Sequence, residues 1–381
     1  MNSAQWRRKH PDEEIRREKA KSHPLAWALE YRPKILIPKK GIQAYEPWDF
    51  QQNILRDRSR YRAAVKGRQQ GLTTTFAIEA AWELGHVAGS SLILTSKNIE
   101  AAEEFLGKIS RAYESAVDSD PSMPKPKKTN SKRVFSIPGN DSVVKAVPAT
   151  PRTGRNYTAS HWYFDECAHT SFAQDIFEGA APTTAQVEGR ITLFSTPWGR
   201  GNLFHGAFDD RESMTFSKHR YPWWWCPTYN PFYAEFYAAF LAGDVAGQKK
   251  AIAKARTGKW YRTERPNYSA LAWRREWECD FDAGTDTVFS GEQLQMAFAR
   301  NWLAEVKDPD GIVTDWFRAE RKAGHLYATG VDPGRKQDAA VAITYDVTTK
   351  PAEVVEFKYI EGGTAYRSEE HTSELQSRHN L

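Results

Sequence analysis

From residue 61 to residue 194 short β-rich runs alternate with longer helical stretches, and this rhythm constrains the fold more than any other feature. Residues 61–65, 91–94, 162–164 and 191–194 are apolar runs of strand length, whereas 73–86 and 99–116 have helical composition and spacing. Residues 134–137 and 143–147 read as a strand pair, and the Pro- and Lys-rich 118–132 before them as a surface loop. Strands that alternate with helices bury their apolar residues best as a mostly parallel sheet covered on both faces. The expected fold class is therefore α/β.

The flanks read differently. Residues 1–44 are polar and basic, with Pro11, Pro24, Pro33 and Pro38 limiting any long helix. They read as an arm with one short helix over Pro24–Tyr31. Residues 199–287 are irregular, with helices expected over 231–241, 248–257 and 269–278. β-rich segments return at 325–331, 339–345 and 353–360, the opening of a second α/β domain. A chain of 381 residues has room for two domains at roughly 150 residues each.

Composition excludes more than it assigns. No apolar run approaches the roughly 20 residues that span a bilayer, and the charged first 21 residues have no secretory h-region. Cys167, Cys226 and Cys279 are too scattered for a disulfide framework or a zinc site, which fits a reducing cytoplasm. A net charge of +5 permits a polyanionic partner without requiring one. The 14 tryptophans, including Trp223, Trp224 and Trp225, are expected mainly in cores, with stacking on bases the alternative.

The chemistry concentrates at strand ends. Lys66-Gly67-Arg68-Gln69-Gln70-Gly71-Leu72-Thr73-Thr74 lies between an expected strand and an expected helix, the context a phosphate-binding loop needs. There backbone N–H groups at a helix N-terminus cradle phosphate oxygens, a cation neutralises charge, and a hydroxyl holds Mg²⁺. The usual lysine position holds Leu72, so either Lys66 or Arg68 must supply the cation. Further on, Asp165-Glu166 ends an apolar strand, giving one carboxylate for a metal and one to orient water in phosphoryl transfer. Ser195-Thr196-Pro197 ends the next strand, where polar groups can sense a γ-phosphate. Upstream, Gln51 offers an amide that could read adenine.

These motifs in this order, with Tyr163-Phe164-Asp165-Glu166-Cys167-Ala168 and Phe194-Ser195-Thr196-Pro197-Trp198-Gly199 the most specific, resemble phage terminase large subunits. The resemblance covers residues 45–360 and includes the stretch from Trp273 to Phe281. It implies a P-loop ATPase domain followed by the start of an RNase H-like nuclease domain. The implied plan is an N-terminal arm over 1–44, a packaging ATPase over 45–240, a connecting segment over 241–322 and a partial nuclease over 323–366. It also implies Lys66 as the phosphate lysine, with Arg68, Gln70, Gly71 and Thr74 completing the loop and Thr73 as the Mg²⁺ hydroxyl. Asp165 becomes the metal ligand, Glu166 the catalytic base and Ser195-Thr196-Pro197 the coupling motif. Arg155, with Arg152 in reserve, is placed to act across a subunit boundary. The implied cofactors are ATP and Mg²⁺, with Mg²⁺ or Mn²⁺ at the nuclease site. The implied partners are double-stranded DNA, a portal protein, a small terminase subunit and further copies in a ring on the procapsid, with no membrane. The implied location is the cytoplasm of an infected bacterial host.

In the nuclease part Asp332, at a strand tip before Pro333-Gly334, is the expected first metal ligand and Asp338 an auxiliary. Two-metal hydrolysis needs several carboxylates around ions roughly 3.5–4 Å apart, and the set here is incomplete. Residues 367–381 resemble the in-frame translation of a sequencing-library adapter. They are expected to be functionless and disordered, with the natural protein continuing after about Tyr366. Basic residues Lys125, Lys127, Lys128, Lys132 and Arg133 could track phosphates. Two rival readings are a helicase-type ATPase, which would need a second motor lobe, and a non-hydrolysing assembly protein, for which Leu72 argues.

Overall fold

The computed structural model describes residues 11–120, 122–128, 130–208, 215–283, 306–307, 313–318, 321–332, 340–348 and 353–360. The chain divides into two units, Met1–Val288 and Phe289–Leu381. Helices α1 (Pro11–Ser22) and α2 (Pro24–Tyr31) precede a hairpin of β1 (Lys34–Ile37) and β2 (Gly41–Ala44), and α3 (Asp49–Arg56) leads into the main sheet.

The main sheet runs from β3 (Tyr61–Lys66) through β4 (Ser91–Thr95), β5 (Val134–Ile137), β6 (Ser142–Ala146), β7 (His161–Asp165) and β8 (Arg190–Ser195) to β9 (Ser217–Tyr221). Its spatial order is β5-β6-β4-β7-β8-β3-β9, and every neighbouring pair is parallel except β5 with β6. Parallel pairing needs crossovers, supplied among others by α4 (Leu72–His86), α5 (Ile99–Ser119) and α6 (Ala173–Gln186). The period-two alternation of strand side chains divides the core in two. Ala64, Leu92, Leu94, Tyr163 and Phe194 pack on one face with Phe76 and Phe105; Ala63, Val65, Ile93, Phe164 and Leu193 pack on the other with Ile176 and Ala180. The mostly parallel α/β sheet expected from the strand rhythm is what the chain forms.

Some of the structure was not legible. The stretch expected as an arm enters the core: Trp27 is fully buried in the cluster that holds Phe50, and Trp82 Nε1 donates to the Ala20 carbonyl at 3.1 Å. Helix α1 is polar along most of its length and gives no apolar period. Strand β9, within the stretch expected to be irregular, is an edge strand of Ser-Lys-His-Arg-Tyr that buries only its last residue.

After a short α7 (Leu203–Gly206) and β9 come α8 (Tyr233–Leu241), α9 (Val245–Ala255), α10 (Lys259–Glu264) and α11 (Ala270–Glu278). Trp223, Trp273 and Trp277 form an aromatic cluster with Ala255, so these tryptophans are core, as expected. Cys167, Cys226 and Cys279 are free and buried. Among the described residues no helix is long and apolar enough to cross a membrane.

In the second unit the three expected β segments are β12 (Tyr327–Asp332), β13 (Ala340–Asp346) and β14 (Glu353–Ile360). With β10 (Val306–Lys307) and β11 (Val313–Arg318) they form an antiparallel sheet of order β10-β11-β14-β13-β12.

The first residues of the parallel strands carry a buried ionic cluster. Arg62 on β3 and Glu79 on α4 are both fully buried and meet at 2.5 Å; Arg58 and Arg190 reach the same carboxylate at 2.6 and 3.1 Å. Burial alone would raise Glu79, but the guanidinium groups of Arg62 and Arg190 outweigh it and hold the carboxyl well below its usual range. Glu83, one turn on, is pushed up to about 7 by burial against the opposing pull of Arg190. His161, at the start of β7, bridges Glu83 and Thr192 at 2.9 Å each and is kept neutral by burial.

Candidate active site

The opposite ends of the same strands build the site. Lys66 is the last residue of β3, Asp165 the last of β7 and Ser195 the last of β8, and β8 lies between the other two. Register therefore brings three polar residues to one edge although 129 positions separate the first from the last. Lys66 Nζ lies 3.3 Å from Asp165 Oδ1, 3.2 Å from Glu166 Oε1 and 3.3 Å from Thr73 Oγ1. Thr73 in turn donates to Asp165 Oδ2 at 3.4 Å, and Ser195 Oγ donates to Glu166 Oε2 at 3.2 Å.

The loop between β3 and α4 is shaped to hold this arrangement. Gly71 caps α4 at φ 74°, and a Cβ there would sit 3.0 Å from the Gln51 amide, so glycine fits on both counts. Gln69 (φ 53°) and Glu166 (φ 49°) also adopt the left-handed conformation, which costs a side-chain-bearing residue about 1 kcal/mol. At Glu166 that turn brings the carboxylate back toward Lys66. Leu72 occupies the first turn of α4 and is buried in the core, so the loop's cation comes from elsewhere.

Lys66 and Arg68 diverge. Lys66 is buried among the carboxylates, while Arg68 pairs through Nε with Glu276 Oε2 of α11 at 2.5 Å. The backbone N–H of Arg68 also donates to the Glu276 carbonyl at 2.9 Å, and that of Gly67 to Tyr221 at 3.0 Å. Burial would lower the Lys66 ammonium, but Asp165 and Glu166 outweigh it and raise it. Asp165 is raised by burial, with Lys66 opposing. Glu166, half-buried, is nevertheless lowered because Lys66 and His169 stand beside it. The lysine is thus charged at neutral pH.

The remaining expected residues are distributed as follows. Thr74 is half-buried in the first turn of α4. Gln70 is 1% exposed, and neither end of its amide has a hydrogen-bond partner. Gln51 lies beneath the loop: its Nε2 donates to the Gln70 carbonyl at 3.0 Å and its Oε1 accepts from Trp48 N–H at 3.1 Å. Thr196 and Pro197 are buried beyond Ser195. Arg155 and Arg152 are exposed; Arg155 ends a short 3₁₀ turn whose Gly154 packs directly on the Ile176 carbonyl. Lys125, Lys127, Lys128, Lys132 and Arg133 are exposed. Asp332 ends β12, while Asp338 and residues 367–381 lie outside the described residues.

Two neighbours were not singled out in the sequence. His169, one 3₁₀ turn past Glu166, bonds Thr196 Oγ1 at 2.8 Å, lies 3.9 Å from Glu166 Oε2 and packs on Trp198. Glu276 holds both Arg68 and Arg275, and Arg275 lies over the Trp198 ring at 4.9 Å. The signal for His169 was its place directly after the acidic motif. Glu276 lay within the stretch from Trp273 to Phe281, but nothing there pointed to Arg68, 208 positions away.

The oxygens suit a hard divalent ion. Mg²⁺ is ordinarily held by one or two carboxylates with substrate phosphates and water, and Thr73 and Asp165 supply a hydroxyl and a carboxylate side by side. Among the described residues no group of three or more His, Cys, Asp or Glu forms a self-contained metal cage. The site as built can hold an anion on Lys66 and the loop, a metal on Thr73 and Asp165, and a proton on Glu166.

Residues 63–296 match the family described as terminase large subunit, T4likevirus-type, N-terminal. The terminase large subunit of Thermus virus P23-45 is 23% identical over 333 residues, which cover 81% of this chain and 62% of that protein. The chain thus spans under two thirds of the length of that curated relative. Among solved structures, the Thermus phage P74-26 large terminase ATPase domain is 20% identical with a TM-score of 0.46, covering 62% of this chain and 94% of that one. The HK97 bacteriophage large terminase is 12% identical with a TM-score of 0.47, covering 85% and 65%. With a family match over more than half its residues, the chain belongs to the terminase large subunits.

Proposed function

We propose that this chain carries the ATP-hydrolysing motor of a phage DNA-packaging machine, which drives double-stranded DNA into a procapsid. The observation that supports it most is the convergence of Asp165, Glu166 and Thr73 on the Lys66 ammonium at 3.2–3.3 Å. Phosphate oxygens entering the loop compete with the two carboxylates for that ammonium, and the N-terminus of α4 adds its own attraction for anions. Thr73 and Asp165 would hold Mg²⁺. When bound, the ion neutralises charge on the β- and γ-phosphates. Glu166, lowered and therefore ionised, orients the attacking water and accepts its proton. Ser195 fixes the angle of that carboxylate, and the Ser195-Thr196-Pro197 segment passes its movement to the rest of the motor.

Arg155, exposed at the tip of its turn, serves a neighbouring subunit's site in a ring docked on a portal, with a small terminase subunit delivering the DNA. The second unit belongs to a metal-dependent endonuclease of RNase H type that cuts concatemeric DNA, with Asp332 as a ligand. ATP turnover by the wild type and by Glu166→Gln tests the motor. The variant should lose activity by about a hundredfold or more while still binding Mg-ATP. Equal turnover by the two proteins would remove this mechanism and favour a non-hydrolysing role.

A further inference from the structure

The glutamine expected to read a nucleotide's base is committed to the fold. Gln51 is 4% exposed, and both ends of its amide are spent on backbone, one on the Gln70 carbonyl and one on Trp48 N–H. A base bound at this loop therefore needs another wall. Beside the loop's crest, lined by Arg68 and Gln69, lies a cavity of about 500 Å³. That is within the usual span of small-molecule sites.

Most of its remaining wall is aromatic: Tyr229, Trp260, Tyr268 and Trp277. Tyr229 and Trp260 stack at 4.4 Å, and Trp277 stands edge-on to both at 5.5 and 5.1 Å. The Tyr229 hydroxyl donates to the Gln69 carbonyl at 3.1 Å, which ties this wall to the loop. The charges in the lining balance. Arg68 and Arg275 both bond Glu276, and with Glu264 the lining carries two arginines against two glutamates. Glu264, also in the lining, has no hydrogen bond or ion pair from its carboxylate among the described residues. The indole N–H of Trp277 is buried and also has no partner among the described residues.

We infer that this cavity is the base-and-ribose subsite of the nucleotide site, selecting a nucleobase that carries an exocyclic amine. The inference rests on the nucleotide reading of the loop given above. The rings offer stacking faces to a flat base, and Glu264 accepts from its amine. A lining without net charge suits the uncharged part of the ligand, while the phosphates run along the loop toward Lys66. A cationic guest, which an aromatic wall also attracts, meets two arginines here.

Calorimetric titration of the full chain with Mg-ATP and, separately, with magnesium tripolyphosphate tests the assignment. The wild type should bind both. Trp260→Ala should weaken ATP by about tenfold, the usual worth of one aromatic–base stack, and leave tripolyphosphate within about twofold. Glu264→Leu, which removes the acceptor, should weaken ATP more than purine riboside triphosphate, which lacks the amine, and it serves alone if Trp260→Ala does not fold. ATP affinity unchanged in Trp260→Ala, or ATP and tripolyphosphate lost equally, would overturn the subsite. So would an equal effect of Glu264→Leu on the two nucleotides. A wild type that binds neither ligand would instead remove the nucleotide reading itself.

Discussion

The two ends of one parallel sheet treat buried charge in opposite ways. At the start of the strands, Arg62, Arg190 and His161 meet Glu79, Glu83 and Thr192, and each side chain has a protein partner. At the finish of the same three strands, Lys66, Asp165 and Ser195 gather with Glu166 and Thr73 at contacts of 3.2–3.4 Å. The first cluster is tighter, with three arginines on its central carboxylate at 2.5, 2.6 and 3.1 Å. The second is looser, and its lysine serves two carboxylates at once. A buried cluster whose charges are closed among themselves is structural. One with a shared cation and a helix N-terminus beside it is suited to a charged ligand.

The comparison can be broken from either end. Removing a partner from the closed cluster leaves an uncompensated buried charge, so Glu79→Ala should cost about 3–5 kcal/mol in denaturant unfolding. Folded molecules of that variant should keep wild-type nucleotide affinity. Lost affinity at full occupancy of the fold would show that the two ends are not independent.

A smaller effect separates the two glutamates of the closed cluster. Glu79 is depressed, so its contribution is present above its ordinary carboxylate value and is lost as pH falls. Glu83 is raised to about 7, so its contribution is present at acid pH and is lost as pH rises through that value. Unfolding midpoints taken between about pH 5 and pH 8 should therefore decline less steeply in Glu83→Gln than in the wild type. Parallel profiles would place the titrating group elsewhere.

How legible this was depended on whether a residue's role was local. The strands of the main sheet announced themselves because residues buried on both faces make nearly continuous apolar runs, as in Tyr61–Lys66 and Arg190–Ser195. Edge strand β9 did not, since it buries only its last residue, and neither did helix α1, whose sequence is polar along most of its length. The acidic pair and the loop were legible as motifs, and the structure brings Lys66, Thr73, Asp165, Glu166 and Ser195 together. The partners of Arg68 and Gln51 were not legible, because pairings across 208 and 19 positions are set by packing rather than by neighbouring sequence. Nor was the closed cluster: Arg62 and Arg190 sit among apolar strand residues and show their purpose only beside Glu79.

The end of the sheet bearing Lys66 is the proposed nucleotide site, with Lys66 rather than Arg68 as the cation that holds the phosphates. Thermal unfolding with and without Mg-ATP tests this directly, because a ligand that binds only the folded state raises Tm. Wild type should be stabilised, Lys66→Ala should show no shift, and Arg68→Ala should keep a reduced one. No shift in the wild type, or a shift that survives in Lys66→Ala and vanishes in Arg68→Ala, would contradict the account.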